Sequence, residues 1–386
     1  MSAAGTSLCY GNHMKIAGKS MRSIWVEPDG TSVGIIDQTL LPHRFETLRL
    51  AALEDAAHAI TTMQARGAPL IGAVAAYGIC LALRADASEE NLERACALLL
   101  ATRPTANNLK WALDEMVAAI RNQPREQRLA AAYRRAAEIC EQDVAINQAI
   151  GWHGLKLIED IAAKKKKSEG VNVLTHCNAG WLATVDWGTA TAPIYMAHDK
   201  GIAIHVWVGE TRPRNQGAAL TAFELGQHGV PHTVIADNAG GHLMQHKLVD
   251  LVLVGTDRVS AQGDIGNKIG TYLKALAARD NNVPFYVAAP SPSIDFAAGD
   301  GDAIPIEQRP GEEVATVTGR AADGRIEKVR IVPDESPVAN YAFDVTPARL
   351  VSGLITERGV IAANRAALAS AFPERAGQAP RRTAAE

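Results

Sequence analysis

The stretch that decides the fold is VNVLTHCNAG, residues 171–180, in which an apolar β-branched run ends in His176, Cys177, Asn178 and Gly180. Four further short apolar runs follow: IAIHVWVGE (202–210), PHTVIAD (231–237), VDLVLVGTD (249–257) and VPFYVAAP (283–290). Stretches with helical periodicity separate them, such as GAALTAFELGQHG (217–229) and IGNKIGTYLKALAARD (265–280). Strands that are apolar on both faces and alternate with helices are typical of a parallel sheet covered on both sides. The sequence therefore predicts a doubly wound α/β domain.

The chain before residue 170 has a different pattern. SIWVEPDGTSVGIIDQ (23–38) predicts two strands joined by a turn, because Pro-Asp-Gly interrupts two apolar runs. From about 46 to 160 apolar residues recur three and four apart, which predicts helices in four stretches: 45–63, 69–85, 107–123 and 126–167. The last stretch is long enough to connect two domains, and KKKKSEG (164–170) after it is interpreted as a solvated helix end and hinge.

These patterns predict four parts. Residues 1–150 form an N-terminal domain of strands and helices, 151–170 a connecting helix and hinge, 171–370 the α/β domain, and 371–386 a flexible tail.

Composition excludes several classes of function. The chain has 386 residues, 47% of them apolar, and a net charge of -3, so nothing favours nucleic acid or an anionic membrane as a partner. Five widely spaced cysteines form no CxxC pair, which argues against a disulfide framework or a zinc cage and favours the reducing cytoplasm. We expect no signal peptide and no apolar run long enough to span a bilayer. HExxH is missing, which disfavours a metal site, and no GxGxxG follows the first α/β strand, which disfavours a dinucleotide. GxSxG and Walker A sequences are missing as well.

Polar residues follow the predicted strands at the point where each ends. The tips are His176-Cys177-Asn178, Glu210 with the following residues 211–216, Asp237-Asn238, and Asp257-Arg258. Ligands of open α/β sheets bind at the carboxyl ends of the strands. Four polar tips in one domain therefore predict a functional site at this edge of the sheet.

Two of these residues are candidates for chemistry. Asp257 follows the apolar run LVLVG, where desolvation favours the neutral carboxyl that a proton donor needs; a helix N-cap or an ion pair with Arg258 is the structural alternative. Cys177 is either a buried hydrophobic residue or a reactive thiol. His176 is adjacent in a strand and points to the opposite face, so we interpret it as a structural histidine.

Three stretches carry candidate anion-binding residues. Arg66-Gly67-Ala68 precede Pro69, which suits the first turn of a helix, and Arg103 in TRPT (102–105) precedes another helical stretch. Asn267-Lys268, in GDIGNKIGTY (263–272), are predicted to lie at a helix start. A helix start offers free backbone N–H groups to an anion, although surface ion pairs or plain turns are the alternatives.

The same stretches, with two others, resemble the methylthioribose-1-phosphate isomerases, a family of methionine-salvage enzymes related to the regulatory subunits of translation initiation factor 2B. The resemblance covers roughly residues 20–365 and rests on seven motifs in order: RGAPLIG, TRPT, THCNAG, ETRPRNQGAALTAFEL, ADN, GTDRVSAQGDIGNKIGTY and PSPSIDF. It implies a small N-terminal domain of antiparallel strands and helices, a Rossmann-like C-terminal domain and a homodimer.

The resemblance also implies an activity: aldose–ketose isomerisation of a ribose 1-phosphate without metal or cofactor. The catalytic residues of the family fall on Cys177 and Asp257. Its phosphate and sugar contacts fall on Arg66, Gly67, Ala68, Arg103, Gln216, Asn267 and Lys268. Three alternatives remain open at this point: an isomerase of 5-deoxyribose 1-phosphate, an isomerase of ribose 1,5-bisphosphate, and a non-catalytic regulatory subunit. The sequence also leaves open whether hydrogen moves as a proton or as a hydride.

The chain departs from the family pattern in a few places. Ala219, Thr256 and Gln262 stand where the family usually has Arg, Ala and Asn. In GWLATVDWGTATAP (180–193), Trp181, Asp186 and Trp187 replace residues that are commonly smaller or less polar. We expect these changes to reshape the pocket for the 5-substituent of the sugar.

Overall fold

A computed structural model describes residues 14–166 and 169–377. Five strands and five helices make up the chain before residue 167: β1 (Lys15–Ile16), β2 (Lys19–Ser20), β3 (Ile24–Val26), β4 (Val33–Ile36), β5 (Thr47–Leu50), α1 (Leu53–Thr61), α2 (Ala68–Ala85), α3 (Glu89–Thr102), α4 (Asn107–Ile120) and α5 (Arg125–Ala162). Strands β3, β4 and β5 form an antiparallel sheet in that order. The two strands predicted within 23–38 are confirmed as β3 and β4.

The helix predicted over 45–63 is wrong in its first third. Residues Thr47–Leu50 form β5, in which Leu48 pairs with Ile35 and Leu50 with Val33 on β4. The sequence TLRL alternates with a period of two, which suits a strand, and the neighbouring strand supplies its hydrogen bonds. Helix α1 begins only at Leu53.

Helix α2 is the centre of the N-terminal hydrophobic core. It has 18 residues and a mean hydropathy of 1.6, enough by length and composition to cross a membrane, so the expectation that no run is this long is wrong. Most of α2 is nevertheless buried inside the protein, packed against α1, α3, α4 and α5. Its hydrophobicity therefore serves the core.

Helix α5 contributes to two cores. Ala136 and Ile139 in its first half belong to the N-terminal core, whereas Ile150 and Ile158 in its second half pack against the C-terminal sheet. The helix passes residue 150 without a break, and the domain boundaries stay predictions. Lys167 and Ser168 of the predicted hinge lie outside the described residues.

The rest of the chain contains these elements: β6 (Val171–Thr175), α6 (Ala192–Asp199), β7 (Ile204–Gly209), α7 (Ala222–His228), β8 (His232–Ile235), α8 (Ala239–Gln245), β9 (Leu251–Val254), β10 (Arg258–Ser260), β11 (Ile265–Lys268), α9 (Thr271–Asp280), β12 (Phe285–Ala288), β13 (Ile294–Asp295), α10 (Glu312–Ala315), β14 (Thr316–Arg320), β15 (Ile326–Arg330), β16 (Phe343–Thr346), β17 (Gly353–Thr356), β18 (Gly359–Ile361), α11 (Arg365–Ala371) and α12 (Pro373–Ala376). In the predicted tail, Phe372 is buried, and residues 378–386 lie outside the described part of the chain.

The predicted parallel sheet is confirmed. Seven strands lie in the order β18-β17-β12-β9-β6-β7-β8, and all neighbours are parallel except β17 and β18. All five runs that the sequence marked as strands lie in this sheet, and β6 is the middle one of these five. Helices interleave with the strands along the chain, so the C-terminal part is a Rossmann-like α/β fold beside a smaller part with antiparallel strands and helices.

A second sheet corrects the prediction for residues 265–280. Strands β13, β10, β11 and β16 lie in that order, and β11 carries Asn267 and Lys268. These residues pair with β16 and are not at a helix start. Helix α9 begins at Thr271, and its first N–H groups are already bound, because Gly270 and Tyr272 donate to the Asp344 carboxylate at 2.7 and 3.2 Å.

Candidate active site

A cavity opens at the carboxyl edge of the parallel sheet, and we call it the main cavity. It lies against the start of α2, the link between α3 and α4, the end of β6 and strand β11. The structure brings eight of the nine predicted site residues into its wall: Arg66, Gly67, Ala68, Arg103, Cys177, Gln216, Asp257 and Lys268. A smaller space, the rear cavity, is lined by the ninth, Asn267, and also by Cys177 and Asp257.

Cys177 lies just beyond the interior strand β6 and is 8% exposed. Its φ angle is 63°, in the left-handed region that few residues other than glycine adopt. The backbone N–H of Cys177 donates to Thr211 Oγ1 at 2.8 Å, and its carbonyl accepts from Thr221 Oγ1 at 2.7 Å. The residue therefore lies at the tip of the apolar strand, on the wall of both cavities.

His176 is a structural histidine, as its place in the strand suggests. Its Nε2 lies 2.8 Å from the Ile269 carbonyl, which can only accept, so the proton is assigned to Nε2. The ring is buried, and desolvation lowers its pKa well below the ordinary range, with Lys274 acting in the same direction. A neutral histidine in this position ties β6 to the turn before α9.

Asp257 lies between β9 and β10. Its backbone N–H donates to the Gly266 carbonyl at 3.0 Å, and its side chain lines both cavities. The N-cap alternative is wrong, because a strand begins at Arg258. The Arg258 guanidinium pairs with Asp295 at 2.8 Å and donates to the Thr105 carbonyl at 2.6 Å.

The start of α2 forms one wall of the main cavity. Gly67 has a φ of 101°, and a Cβ there would lie 2.4 Å from the Ala183 backbone, so only glycine fits. Arg66 donates to both oxygens of Asn178, including the backbone carbonyl at 3.1 Å. Both parts of the predicted anion site, the start of α2 and the guanidinium of Arg66, therefore lie on the wall of the main cavity.

Arg103 and Arg309 share a carboxylate on the opposite side of the cavity. Glu307 pairs with Arg103 at 3.2 Å and with Arg309 at 3.0 Å. The Nε of Arg103 is buried and has no hydrogen-bond partner among the described residues. Burial lowers the Arg103 pKa, and Arg309 lowers it further. An unpaired buried donor beside a second guanidinium suits an anionic ligand.

Lys268 is 4% exposed, and its ammonium lies 4.6 Å from the centre of the Phe343 ring. Burial lowers the pKa of Lys268 to about 8, with Arg309 acting in the same direction, while Cys177 and Asp257 act against it. The cation is therefore close to the two residues that are candidates for chemistry.

Gln216 and Asn267 have different surroundings. Gln216 precedes a π-helical turn, and its buried Oε1 has no partner among the described residues, so the main cavity offers an acceptor to a hydroxyl group. Asn267 Nδ2 donates to Thr271 Oγ1 at 3.0 Å. Asn267 therefore lines the rear cavity with one of its donors already in use.

Ten residues that line the main cavity were not predicted as site residues. Four of them, Thr105, Ala106, Arg258 and Gly266, lie in or beside motifs that the sequence analysis quotes, and the other six are Met63, Ile71, Ile304, Pro305, Arg309 and Phe343. None of these six follows a strand of the parallel sheet, which was the signal used to locate the site. They come from the end of α1, the interior of α2, the loop after β13 and the start of β16. One-dimensional periodicity does not indicate which loop folds over a sheet edge.

The departures from the family pattern lie mostly away from the cavity. Trp181 and Trp187 are buried in the core under the sheet, and the Asp186 carboxylate accepts from the Trp187 backbone at 2.8 Å. Thr256 donates to the Arg258 and Gly266 carbonyls. Ala219 lines an outer cleft that shares Met63, Arg66 and Gln216 with the main cavity. The side chains of Trp181, Asp186 and Trp187 line neither cavity, although Thr184 and Thr189 of the same segment, and Thr256, line the rear cavity. The expected effect of these departures on the sugar pocket stays a prediction.

Within residues 14–166 and 169–377, no three His, Cys, Asp or Glu side chains are grouped so that they could hold a metal ion. The absence of a metal or cofactor from the reaction stays a prediction.

Comparison with known proteins places this chain in a family. The sequence model of the initiation factor 2 subunit family matches residues 64–363. A curated protein from Methylocella silvestris, named methylthioribose-1-phosphate isomerase, is 65% identical over 363 residues, which cover 94% of this chain and 99% of the relative.

Two solved structures are also similar. The 5-methylthioribose 1-phosphate isomerase of Pyrococcus horikoshii has a TM-score of 0.79 and 38% identity, covering 92% of this chain and 97% of its own. The translation initiation factor eIF-2B subunit delta of A. fulgidus has a TM-score of 0.75 and 38% identity, covering 92% and 100%. The chain therefore belongs to the initiation factor 2 subunit family and groups there with the relatives named methylthioribose-1-phosphate isomerase.

Proposed function

We propose that this protein converts 5-methylthioribose 1-phosphate to 5-methylthioribulose 1-phosphate, an aldose–ketose isomerisation in methionine salvage. The observation that carries the proposal is that Cys177 and Asp257 line the same main cavity as a cluster of cationic side chains. A sugar phosphate needs both parts: an anion site for the phosphate and a proton-transfer pair for the carbon chemistry.

The charges in and around the main cavity match one phosphate group. The cationic side chains are Arg66, Arg103, Arg258, Lys268 and Arg309, and the carboxylates beside them are Asp257, Glu307 and Asp295, the last paired with Arg258. The balance is two positive charges when all of them are ionised and three when Asp257 carries the proton that it donates in the mechanism below, so the site can neutralise one phosphate monoester dianion. Two phosphate groups would exceed it, which disfavours ribose 1,5-bisphosphate.

Part of the cavity wall is apolar. Met63, Ile71, Ile304, Pro305 and Phe343 contribute aliphatic, thioether and aromatic surface. A methylthio group is apolar and polarisable and suits such a wall, whereas a second phosphate would need cations there. A 5-deoxy sugar would fit the same wall with less contact, so it remains the runner-up substrate.

The chemistry begins with opening of the furanose ring. The anomeric oxygen carries the phosphate, so no free aldehyde exists, and the bond between C1 and the ring oxygen must break. In the proposed mechanism Asp257 donates its proton to the ring oxygen, which leaves as the C4 hydroxyl. The positive charge left at C1 is shared with the oxygen of the phosphate ester. Gln216 Oε1, which lacks a protein partner among the described residues, is an acceptor for a sugar hydroxyl.

Hydrogen then moves from C2 to C1 by one of two routes. In the proton route the Cys177 thiolate takes the C2 proton and gives an enol, and a proton returned to C1 with loss of the C2 hydroxyl proton yields the ketone. In the hydride route the C2 hydrogen moves with its electron pair to the cationic C1, and Asp257, now a carboxylate, takes the hydroxyl proton. Turnover in D₂O separates them: deuterium at C1 indicates the proton route, and its absence the hydride route.

A non-catalytic regulatory role is the second candidate, because one similar structure is an initiation factor subunit. Such a role needs no proton-transfer pair. The presence of Cys177 and Asp257 on the same cavity, beside a cation cluster, therefore favours the enzyme.

We further propose a cytoplasmic homodimer. Cys80, Cys96, Cys140 and Cys177 are free thiols, as a reducing compartment requires, while Cys9 lies outside the described residues. Dimerisation rests on the family resemblance. Light scattering coupled to size exclusion measures it directly, and a monomeric mass would refute it.

The deciding experiment is NMR of the purified protein with the methylthio, deoxy and 5-phospho forms of ribose 1-phosphate in parallel. We expect the ketose signal with the methylthio sugar, slower conversion of the deoxy sugar and none of the bisphosphate. Conversion of no sugar, together with tight nucleotide binding, would favour the regulatory role. Faster turnover of the bisphosphate would refute the charge and apolar-wall arguments.

A further inference from the structure

The backbone of Cys177 is held from both sides. Its φ of 63° is a conformation that costs an ordinary residue free energy and persists only when the surroundings enforce it. Rotation back to the common β or α region would swing the Cβ, and with it the thiol, away from the cavity wall. Something must oppose that rotation.

Thr211 holds the N-terminal side. Its Oγ1 accepts from the Cys177 N–H at 2.8 Å and donates to the Gly209 carbonyl at 2.9 Å, so both functions of the hydroxyl are used. Thr211 itself has a φ of 68°. The Asp237 carboxylate fixes it by accepting from the N–H groups of Thr211 and Arg212, each at 2.8 Å.

Thr221 holds the C-terminal side. Its Oγ1 donates to the Cys177 carbonyl at 2.7 Å and accepts from Asn178 Nδ2 at 3.2 Å. Thr221 ends the π-helical turn that follows Gln216, and the turn brings the hydroxyl under the peptide group. Both threonines are buried, at 0% and 1% exposed, so water is not available as a substitute partner.

We propose that Thr211 and Thr221 are positioning residues for the Cys177 thiol: their hydroxyls bind the two peptide groups that flank Cys177 and keep its sulfur directed into the main cavity. The inference rests on the proposed function for the role of Cys177 in the reaction. Its structural content, the orientation of the thiol, stands apart from the identity of the substrate.

The test replaces each threonine with valine, which keeps the shape and removes the hydroxyl, and with serine, which keeps the hydroxyl. We expect Thr211→Val and Thr221→Val to lower kcat by about 10-fold or more, with KM changed by less than about 3-fold, because a buried hydrogen bond is lost at the thiol and not at the phosphate. The serine variants should recover most of the activity. Thr346→Val is the matched control: Thr346 is fully buried, and its hydroxyl has no partner among the described residues.

A second readout does not depend on turnover. The rate at which iodoacetamide alkylates Cys177, measured by mass spectrometry of its peptide, should change by about 5-fold or more in the valine variants and stay within about 2-fold in the serine and Thr346→Val variants. If the protein isomerises none of the three sugars, this rate still tests the orientation of the thiol. Valine variants with unchanged alkylation would overturn the inference, as would serine variants as impaired as valine.

If a valine variant does not fold, Asp237→Asn replaces it for Thr211. The amide keeps the shape of the carboxylate but weakens the hydrogen bonds that it accepts from the N–H groups of Thr211 and Arg212. We expect a fall in kcat of about 3- to 10-fold, with a matching change in alkylation. Unchanged values for both would remove Thr211 from the proposal.

Discussion

The guanidinium of Arg66 donates to the backbone carbonyl of Asn178 at 3.1 Å and also to that residue's side-chain oxygen. Arg66 precedes α2 in the N-terminal part of the chain, whereas Asn178 directly follows Cys177 in the C-terminal part. One side chain therefore connects the proposed phosphate site to the residue beside the proposed catalytic thiol.

Arg66→Lys is expected to raise KM by about 10-fold and also to lower kcat, because lysine keeps the charge but cannot form the two bonds to Asn178. Asn178→Ala in that background should add little, so a double-mutant cycle should give a coupling of about 1 kcal/mol or more. Arg94→Lys, at an exposed arginine, serves as the control. Additive losses for the pair would show that Arg66 and Asn178 act separately.

Cys177→Ser and Asp257→Asn are each expected to lower kcat by at least about 100-fold, since each removes one member of the proton-transfer pair. Binding of inorganic phosphate, measured by calorimetry, should stay within about 3-fold, because the cations are intact. Cys96→Ser is the control for a cysteine outside the cavity. Near-normal turnover in either site variant would refute the assigned roles.

The pH dependence should carry the signature of Lys268. Its pKa of about 8 means that the ammonium is charged below pH 8 and neutral above it. We expect kcat/KM to fall as pH rises through about 8, because the cavity loses a positive charge that binds phosphate. In Lys268→Arg the fall should move to higher pH, since the guanidinium does not lose its proton in this range. A fall at the same pH in both proteins would mean that another group titrates.

Glu224 should make stability depend on pH. Its buried carboxylate accepts from Asn178 Nδ2 at 3.1 Å and from the Leu182 N–H at 2.6 Å, and burial raises its pKa from 4.5 to about 7. Between these values the folded protein binds more protons than the unfolded chain, so the free energy of unfolding falls as pH rises from 4.5 to 7. The contribution of this one residue is on the order of 3 kcal/mol.

Glu224→Gln removes this titration and keeps the shape. Urea unfolding at pH 5.5 and 7.5 should show a smaller loss of stability in the variant than in the wild type. Part of the loss should persist, because burial also raises the pKa of Asp143 to about 7. An identical pH dependence in the two proteins would show that Glu224 is not the group responsible.

Sequence reasoning located the parallel sheet because its strands are buried on both faces and are therefore almost continuously apolar. The strand VNVLT could be recognised without knowing its neighbours. The same reasoning placed Cys177 and Asp257 at one edge, since the carboxyl ends of parallel strands meet there. Strand position alone predicted that the two residues lie at the carboxyl edge of the sheet. Their catalytic roles came from the family resemblance.

The errors lie where tertiary contacts override local pattern. Residues 47–50 sit within a stretch of helical periodicity, yet pairing with β4 makes them a strand. Lys268 was expected at a helix start, but the sheet partner β16 extends it into a strand, and its side chain still reaches the cavity. Arg309 enters the site from the loop after β13 and Phe343 from the start of β16, and no periodicity in the chain connects them with β6.

Helix α5 has 38 residues, which is about 57 Å of continuous helix. Ile139 on it is packed in one hydrophobic core and Ile158 in the other, while Val144 touches both. Because α5 belongs to both hydrophobic cores, its unfolding disrupts both of them, and neither core can unfold alone. The N-terminal and C-terminal parts that line the main cavity should therefore unfold together. Calorimetry of the intact chain should record a single unfolding transition.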